Sequence, residues 1–236
     1  MTESASSLAL AGFLTLVFVG FTLLAIEPLI AFDAYFNLRP PPPSWVPVLH
    51  VLDRVGQRAI CLPVLAVVTI ACCRREESWR PAVLAASSVF ALNLVVGLLK
   101  IGFGRAQPAS ADPSFFIGGM AYPSGHTANI VLVYGLAAYL LGRYFRLGRG
   151  ALVALWTGVA GLSLLMVVVS VTLNWHWFAD LIAGLLVGGI VLELAVAADA
   201  AMPRQAFDGG LRQGVRVVLA AVRRRRTGPP GHGDVA

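Results

Sequence analysis

The sequence predicts an all-α integral membrane protein with six transmembrane helices, and three observations support this fold class. Of the 236 residues, 58% are hydrophobic and 13% are charged, whereas soluble domains average about 25% charged residues. The mean hydropathy is +0.78. Apolar runs near the length that crosses a hydrocarbon core of about 30 Å recur along the chain. We predict spans at residues 8–31, 59–73, 81–99, 127–141, 151–173 and 178–198.

The first two spans need separate arguments. The first apolar run is too long for a signal-peptide core and lacks a clean cleavage site of small residues, so we interpret it as a span. In the second, fifteen residues separate Arg58 from Arg74, which is about 22 Å of helix. Because this is shorter than the hydrocarbon core, we expect Arg58 to reach the headgroup level or a polar cavity inside the protein.

Arginine placement orients the spans. The loops after the second and fourth spans and the segment after the sixth are rich in arginine. Their arginines are Arg74, Arg75, Arg80, Arg143, Arg146, Arg149, Arg204, Arg212, Arg216 and Arg223 to Arg226. All three segments fall on one side of a six-span chain, and the positive-inside rule makes that side cytoplasmic, together with both termini. The net charge of +6 therefore indicates topology, and we expect no nucleic-acid partner.

We divide the chain into a membrane domain at residues 1–202 and a basic cytoplasmic tail at residues 203–236. In the tail, apolar residues recur at helical spacing between 211 and 222, which is typical of an amphipathic helix on an anionic leaflet. The Gly-Pro-Pro-Gly sequence at 228–231 ends this pattern, and we expect disorder after it. The arginine-rich, lysine-poor composition favours a GC-rich bacterial genome, so we expect a bacterial inner (plasma) membrane.

Three cysteines, Cys61, Cys72 and Cys73, lie within or at the edge of the second span. The vicinal pair has no second pair of ligands at metal-binding spacing elsewhere in the chain. We therefore interpret all three as inert membrane cysteines and predict no metal site.

His176 and Asp180 stand four residues apart at the start of the sixth span. On a helix, residues at this spacing share a face, so the carboxylate accepts a hydrogen bond from the imidazole. That bond fixes the tautomer and makes the other ring nitrogen a better nucleophile or base. A carboxylate at the head of a membrane helix is costly and usually functional. The alternative is a His–Asp pair satisfied at the lipid interface.

Two cations follow the third span. Lys100 is the single lysine of the chain, and Arg105 lies five residues after it. Such cations serve as interface anchors in many membrane proteins. The functional interpretation is an anion clamp, with lysine as a point charge and arginine as a planar fork for phosphate oxygens.

The sequence Tyr-Pro-Ser-Gly-His-Thr at residues 122–127 begins the fourth span. Backbone N–H groups at a helix start favour an anion, and Ser124 is able to donate its hydroxyl or cap the helix. His126 supplies a second imidazole on the same side of the membrane as His176. The alternative is a helix cap beside an interfacial histidine. Taken together, two histidines, one carboxylate, two cations and a helix N-terminus form a set suited to phosphoryl transfer.

These residues resemble the type-2 phosphatidic acid phosphatase superfamily of membrane lipid phosphatases. The family shows Lys, six residues, Arg-Pro; then Pro-Ser-Gly-His; then Ser-Arg, five residues, His, three residues, Asp. Lys100 and Pro108 match the first motif, residues 123–126 match the second fully, and His176 with Asp180 match the third. The resemblance covers the chain from the first span to about residue 198.

The resemblance implies a catalytic membrane domain with an outward-facing phosphatase-type site. His176 would attack phosphorus and become a phosphohistidine, with Asp180 holding its ring. His126 would protonate the departing oxygen, and water would then release the phosphate. No metal or cofactor is implied. The phosphate would be bound by Lys100, Ser124 and the backbone of Gly125.

The sequence departs from the family pattern at two phosphate-binding positions. Gln107 stands where the first motif has arginine, and Ser170 stands where the third has one. Losing a charge-assisted hydrogen bond typically costs about 1.5–3 kcal/mol. Either another cation compensates, or the substrate is a phosphodiester or pyrophosphate with a different charge distribution.

Arg54 and Arg58 lie on the outer side and are candidates for this compensation. The alternative is that they pair with Asp53 or with lipid headgroups. We therefore predict catalytic roles for His176, His126 and Asp180. We predict substrate contacts from Lys100, Arg105, Gln107, Ser124, Gly125 and Arg58.

The leading hypothesis is a membrane lipid phosphatase that hydrolyses a lipid phosphate or pyrophosphate, on a polyprenyl carrier or a phosphatidyl lipid. The second hypothesis is a lipid phospho-headgroup transferase, because related transferases have the His, His and Asp core without the usual arginines. The third is a degenerate, non-catalytic binding protein, against which the intact His126, His176 and Asp180 argue. The sequence leaves the lipid and the oligomeric state open.

Overall fold

The computed structural model describes residues 3–36 and 41–203, and every regular element within these ranges is helical. The helices are α1 (Glu3–Ile26), α2 (Ile30–Tyr35), α3 (Val46–Asp53), α4 (Arg58–Glu76), α5 (Arg80–Phe103), α6 (Gly125–Asn129), α7 (Gly135–Phe145), α8 (Arg149–Thr172) and α9 (Phe178–Ala201). Tight 3-10 turns at Arg54–Gly56 and Pro108–Ser110 and a π-helical turn at Ile130–Tyr134 join them. The amphipathic helix and disordered end predicted for the tail lie outside the described residues.

Within the described ranges, five helical segments are long and apolar enough to cross a membrane. They are Glu3–Ile26, Arg80–Ser110, Gly125–Phe145, Arg149–Thr172 and Phe178–Ala201. A sixth span arises when Val46–Gly56 and α4, which are bent by 41° relative to each other, are counted together. The all-α membrane fold is confirmed, and the short second run is part of this bent segment.

The first span is displaced from its predicted bounds of 8–31, since α1 runs from Glu3 to Ile26. Pro28 accounts for its early end, because a proline disfavours helical geometry in the residue before it. The chain turns at residues 27–29 and resumes as α2. This turn buries Asp33, whose Oδ1 accepts a hydrogen bond from the Ala179 backbone N–H at 2.9 Å.

At one end of the helix bundle, several side chains contact the buried Asp199, near the end of α9. Arg80 Nε donates to Oδ1 at 2.7 Å, and the Tyr139 hydroxyl lies 2.7 Å from Oδ2. Arg143 approaches the same oxygen at 3.4 Å. Buried charges are stable when paired and hydrogen-bonded, so this cluster joins the start of α5 to the ends of α7 and α9. The predicted site residues therefore gather at the opposite end of these helices.

Two glycines let α9 approach α6 closely. A Cβ on Gly188 would lie 2.7 Å from the Ala128 carbonyl oxygen, and one on Gly184 would collide with the Thr127 hydroxyl. That hydroxyl donates to the Leu181 carbonyl at 3.0 Å. The starts of α6 and α9 consequently lie side by side, and each carries one histidine motif at or just before its first turn.

The segment between α5 and α6 folds back over this end of the bundle. The buried Tyr122 hydroxyl shares a hydrogen bond of 2.6 Å with Thr22 on α1. Burial raises the pKa of Tyr122 to about 12, so its phenol stays neutral at ordinary pH. Gly119 packs so tightly on the Arg105 carbonyl that any Cβ there would collide with it. These contacts fix the loop that carries Arg105 and Gln107.

Candidate active site

A polar cavity of about 490 Å³ opens where α4, α5, α6 and the segment before α9 meet. It gathers residues that are far apart in sequence. Its lining comprises Gly56, Gln57, Arg58, Lys100, Gln107, Met120, Gly125, His126, Asn129, Trp175 and His176. Six of the nine predicted site residues are in this lining: Arg58, Lys100, Gln107, Gly125, His126 and His176. Asp180, Ser124 and Arg105 lie behind the cavity wall, where each is fully buried.

His176 and Asp180 are paired, although His176 does not lie on a helix. It precedes Trp177, the N-cap of α9. Asp180 occupies the first turn and folds back, so its Oδ2 accepts the Trp177 backbone N–H at 3.0 Å and lies 3.3 Å from His176 Nδ1. An acidic side chain in this place is also favoured by the helix dipole. With Nδ1 facing Asp180, Nε2 of His176 is the ring nitrogen left for the cavity.

Arg105 differs from its predicted place in an anion clamp. Its Nη1 donates to Asp180 Oδ1 at 2.7 Å, its Nη2 donates to Asp33 Oδ2 at 2.5 Å, and its Nε donates to the Pro113 carbonyl at 2.9 Å. Its guanidinium carbon lies 4.5 Å from the ring centre of Phe115. With these donors committed and the side chain fully buried, Arg105 is paired with Asp180 and does not line the cavity.

Asp33 is a residue of this network that the sequence interpretation missed. It is fully buried and accepts from both Arg105 and the Ala179 backbone. Burial raises the pKa of Asp33, and the neighbouring Arg105 opposes that shift. An acidic residue directly after the first apolar run was a usable signal, because carboxylates at membrane depth are costly. Its partner Arg105 lies 72 residues away, so the pairing itself was not visible in the sequence.

Two cations line the cavity in the part of the chain that the structure describes, namely Arg58 and Lys100. Arg58 begins α4 and is exposed. The Lys100 ammonium, in the last turn of α5, donates to the Met120 carbonyl. Gln107 also lines the cavity, so its uncharged amide stands on the wall where the family pattern has arginine.

Ser170, the second substituted motif position, and Ser124, the predicted helix cap, do not line the cavity. Ser170 is buried in α8, and its hydroxyl lies 3.5 Å from Met166 Sδ. Ser124 is the N-cap of α6, but its hydroxyl makes no cap hydrogen bond and is buried without a partner among the described residues. Its backbone N–H instead donates to the Asp180 carbonyl at 2.8 Å. This bond joins the second and third motifs directly.

His126 lies beside His176, with the two ring centroids 6.5 Å apart. Its Nε2 faces Oδ2 of Asp53 at 3.6 Å, and Gln57 donates to the same oxygen at 3.1 Å. Asp53 is therefore paired with His126 and Gln57, and not with Arg54 or Arg58 as one alternative had it. The site thus contains two His–Asp pairs, one for each histidine motif.

Comparisons with known proteins agree with this arrangement. The chain has a fold similar to the crystal structure described as the first transmembrane PAP2 type phosphatidylglycerolphosphate phosphatase from Bacillus subtilis, with a TM-score of 0.70 and 19% sequence identity over 82% of this chain and 98% of that one. A search of curated proteins gave no match. The sequence model of the PAP2 superfamily matches residues 81–201, which hold all three motifs. The chain therefore belongs to the PAP2 superfamily.

Proposed function

We propose that this protein is a membrane lipid phosphatase that hydrolyses a lipid phosphate or pyrophosphate through a phosphohistidine on His176. One observation carries the proposal. His176 presents Nε2 to a cavity that also holds His126, while its Nδ1 faces Asp180 at 3.3 Å. A nucleophile oriented by a carboxylate, with a second imidazole beside it, is what metal-independent phosphoryl transfer requires.

The reaction has two steps. In the first, the Nε2 lone pair of His176 forms a bond to phosphorus, the phosphorus–oxygen bond to the leaving group breaks, and His126 gives that oxygen a proton. In the second, water attacks phosphorus, His126 takes a proton from the water, and the nitrogen–phosphorus bond breaks to release phosphate. Ring centroids 6.5 Å apart support this assignment, since they leave the two imidazoles on either side of one small group.

Arg58, Lys100 and the backbone of Gly125 are the groups we assign to the phosphate oxygens, with Gln107 as an uncharged contact. Positive charge and helix N-terminal N–H groups stabilise the negative charge of the transferring group. Asp180 and Arg105 support this set from behind the cavity wall. No metal is assigned, and the described residues contain no group of three or more His, Cys, Asp or Glu that could hold one.

A phospho-headgroup transferase is the second candidate, and the substitution of both motif arginines supports it. Gln107 faces the cavity and Ser170 is buried away from it, so both motif arginines are lost without a cation in the same place. An acceptor alcohol would then replace water in the second step.

Purified protein incubated with lipid phosphates separates these functions. A phosphatase releases inorganic phosphate, a transferase forms a new phospholipid when an alcohol acceptor is added, and a binding protein does neither. We expect phosphate release, and its absence together with absence of phospholipid formation would contradict an enzymatic function.

We also propose that the cavity faces away from the cytoplasm of a bacterial inner membrane. The Asp199 cluster and the arginine-rich loops lie at one end of the bundle, and the cavity lies at the other. The positive-inside rule supports this orientation.

A further inference from the structure

We infer that Asp53 is a positioning residue for His126, so that each of the two histidines of the site is oriented by a buried carboxylate of its own. This inference rests on the proposed function, because it concerns the proton that His126 gives to the leaving oxygen. Asp53 lies outside all three sequence motifs, at the end of α3.

The carboxylate of Asp53 is buried and has few partners. Its side chain is fully buried, Oδ2 lies 3.6 Å from His126 Nε2, and Oδ1 has no hydrogen-bond partner among the described residues. Gln57 donates one neutral hydrogen bond to Oδ2 at 3.1 Å. A buried carboxylate is costly unless a cation compensates it. The group within ion-pair distance of it here is His126, whose ring the carboxylate is placed to orient.

The backbone after Asp53 is fixed against the helix that carries His126. Tyr134, in the π-helical turn, donates its hydroxyl to the Val55 carbonyl at 3.0 Å, and Asn129 donates to the Gly56 carbonyl at 3.5 Å. A Cβ on Gly56 would lie 3.3 Å from His126 Cβ. The distance between Asp53 and His126 is therefore maintained by neighbouring contacts as well as by their own attraction.

The two carboxylates differ in their counter-charges. Asp180 is bonded to the Arg105 guanidinium at 2.7 Å, so much of its charge is already offset by a cation other than His176. Asp53 has no arginine in ion-pair distance among the described residues. Two titratable groups of one active site commonly serve as acid and as base because their environments differ.

The other charged groups around His126 act in the opposite sense. Burial of the ring has the largest effect on His126 and disfavours a positive imidazole, as do Lys100 on α5, Arg58 on α4 and His176 before α9. Asp53, on α3, is the acidic group that favours it. With Nε2 directed at Asp53, Nδ1 of His126 is the atom that carries the proton for the departing oxygen.

The test compares two phosphomonoesters with the same lipid-like tail, one with an alkyl alcohol and one with a nitrophenol as the leaving group. A general acid matters most when the leaving oxygen is strongly basic. In full-length purified protein, we expect Asp53→Asn to lower kcat for the alkyl ester by about 100-fold and for the nitrophenyl ester by less than about tenfold. The ratio of the two losses is measured within one sample, so partial misfolding of the variant cancels.

Two further variants complete the experiment. His126→Ala should give the same leaving-group pattern, and the double variant should be no worse than His126→Ala, because both changes remove one function. Asp112→Asn, an exposed acidic residue of the loop, serves as the matched control and should leave both rates unchanged. Equal losses for both esters, or additive losses in the double variant, would contradict the positioning role of Asp53 but not the proposed function. A wild-type protein that transfers no phosphoryl group overturns the proposed function, and this inference with it.

Discussion

Arg105 reaches Asp180 from the side opposite His176: its Nη1 lies 2.7 Å from Oδ1 of Asp180, and both side chains are fully buried. The carboxylate that orients the proposed nucleophile is therefore itself oriented, and a second carboxylate, Asp33, holds the other side of the same guanidinium at 2.5 Å. Arg105 thus contacts Asp180 from behind the cavity wall, whereas Lys100, the other cation of this part of the chain, lines the cavity.

Removing Arg105 should damage stability more than anion binding. Arg105→Gln leaves two buried carboxylates without their cation. Breaking a buried ion pair in this way costs about 3–5 kcal/mol. We expect a clear fall in the Tm of the detergent-solubilised protein, and partial recovery when Asp33→Asn removes one of the stranded charges. Inhibition of the remaining folded protein by phosphate should be nearly unchanged. A variant with the Tm of the wild type and weakened phosphate inhibition would show that Arg105 contacts phosphate after all.

The fold class and the two histidine motifs could be predicted from the sequence, because both depend on local features. Apolar length is a local property, and so is the four-residue spacing of His176 and Asp180. The ion pairs of Arg105 with Asp33 and Asp180 were not predicted, because these partners lie 72 and 75 residues away in the sequence. Asp53 was considered only with its neighbouring arginines, since nothing local links it to His126 on another helix.

His176 should be indispensable. We expect His176→Ala to abolish turnover and to abolish any acid-labile phosphoenzyme formed with labelled substrate, because no other group would form the bond to phosphorus. Rapid quenching followed by electrophoresis under alkaline conditions measures that intermediate. Asp180→Asn should reduce both severely by losing the hydrogen bond to Nδ1. Full activity in His176→Ala would remove the proposed mechanism.

The orientation of the cavity is testable by cysteine labelling in intact cells. The three native cysteines are buried, so new cysteines at exposed positions report cleanly. Ser110→Cys lies in the loop beside the cavity, and Arg149→Cys lies at the start of α8, near the opposite end. We expect an impermeant maleimide to label position 110 and not position 149 until the cells are opened. The reverse pattern would overturn the topology.

Arg58 and Gln107 should be partly interchangeable, because both line one cavity, although Arg58 begins α4 and Gln107 lies in the loop after α5. Arg58→Gln removes a cation from the proposed phosphate site. Losing a charge-assisted hydrogen bond of about 1.5–3 kcal/mol corresponds to weakening of phosphate or vanadate inhibition by about 10- to 100-fold. Adding Gln107→Arg to this variant returns a cation to the same cavity and should recover part of the affinity. Arg74→Gln changes the charge equally at the far end of α4 and should leave inhibition unaltered. If Arg58→Gln binds vanadate as the wild type does, Arg58 does not compensate for the missing arginines, and the transferase function becomes the stronger candidate.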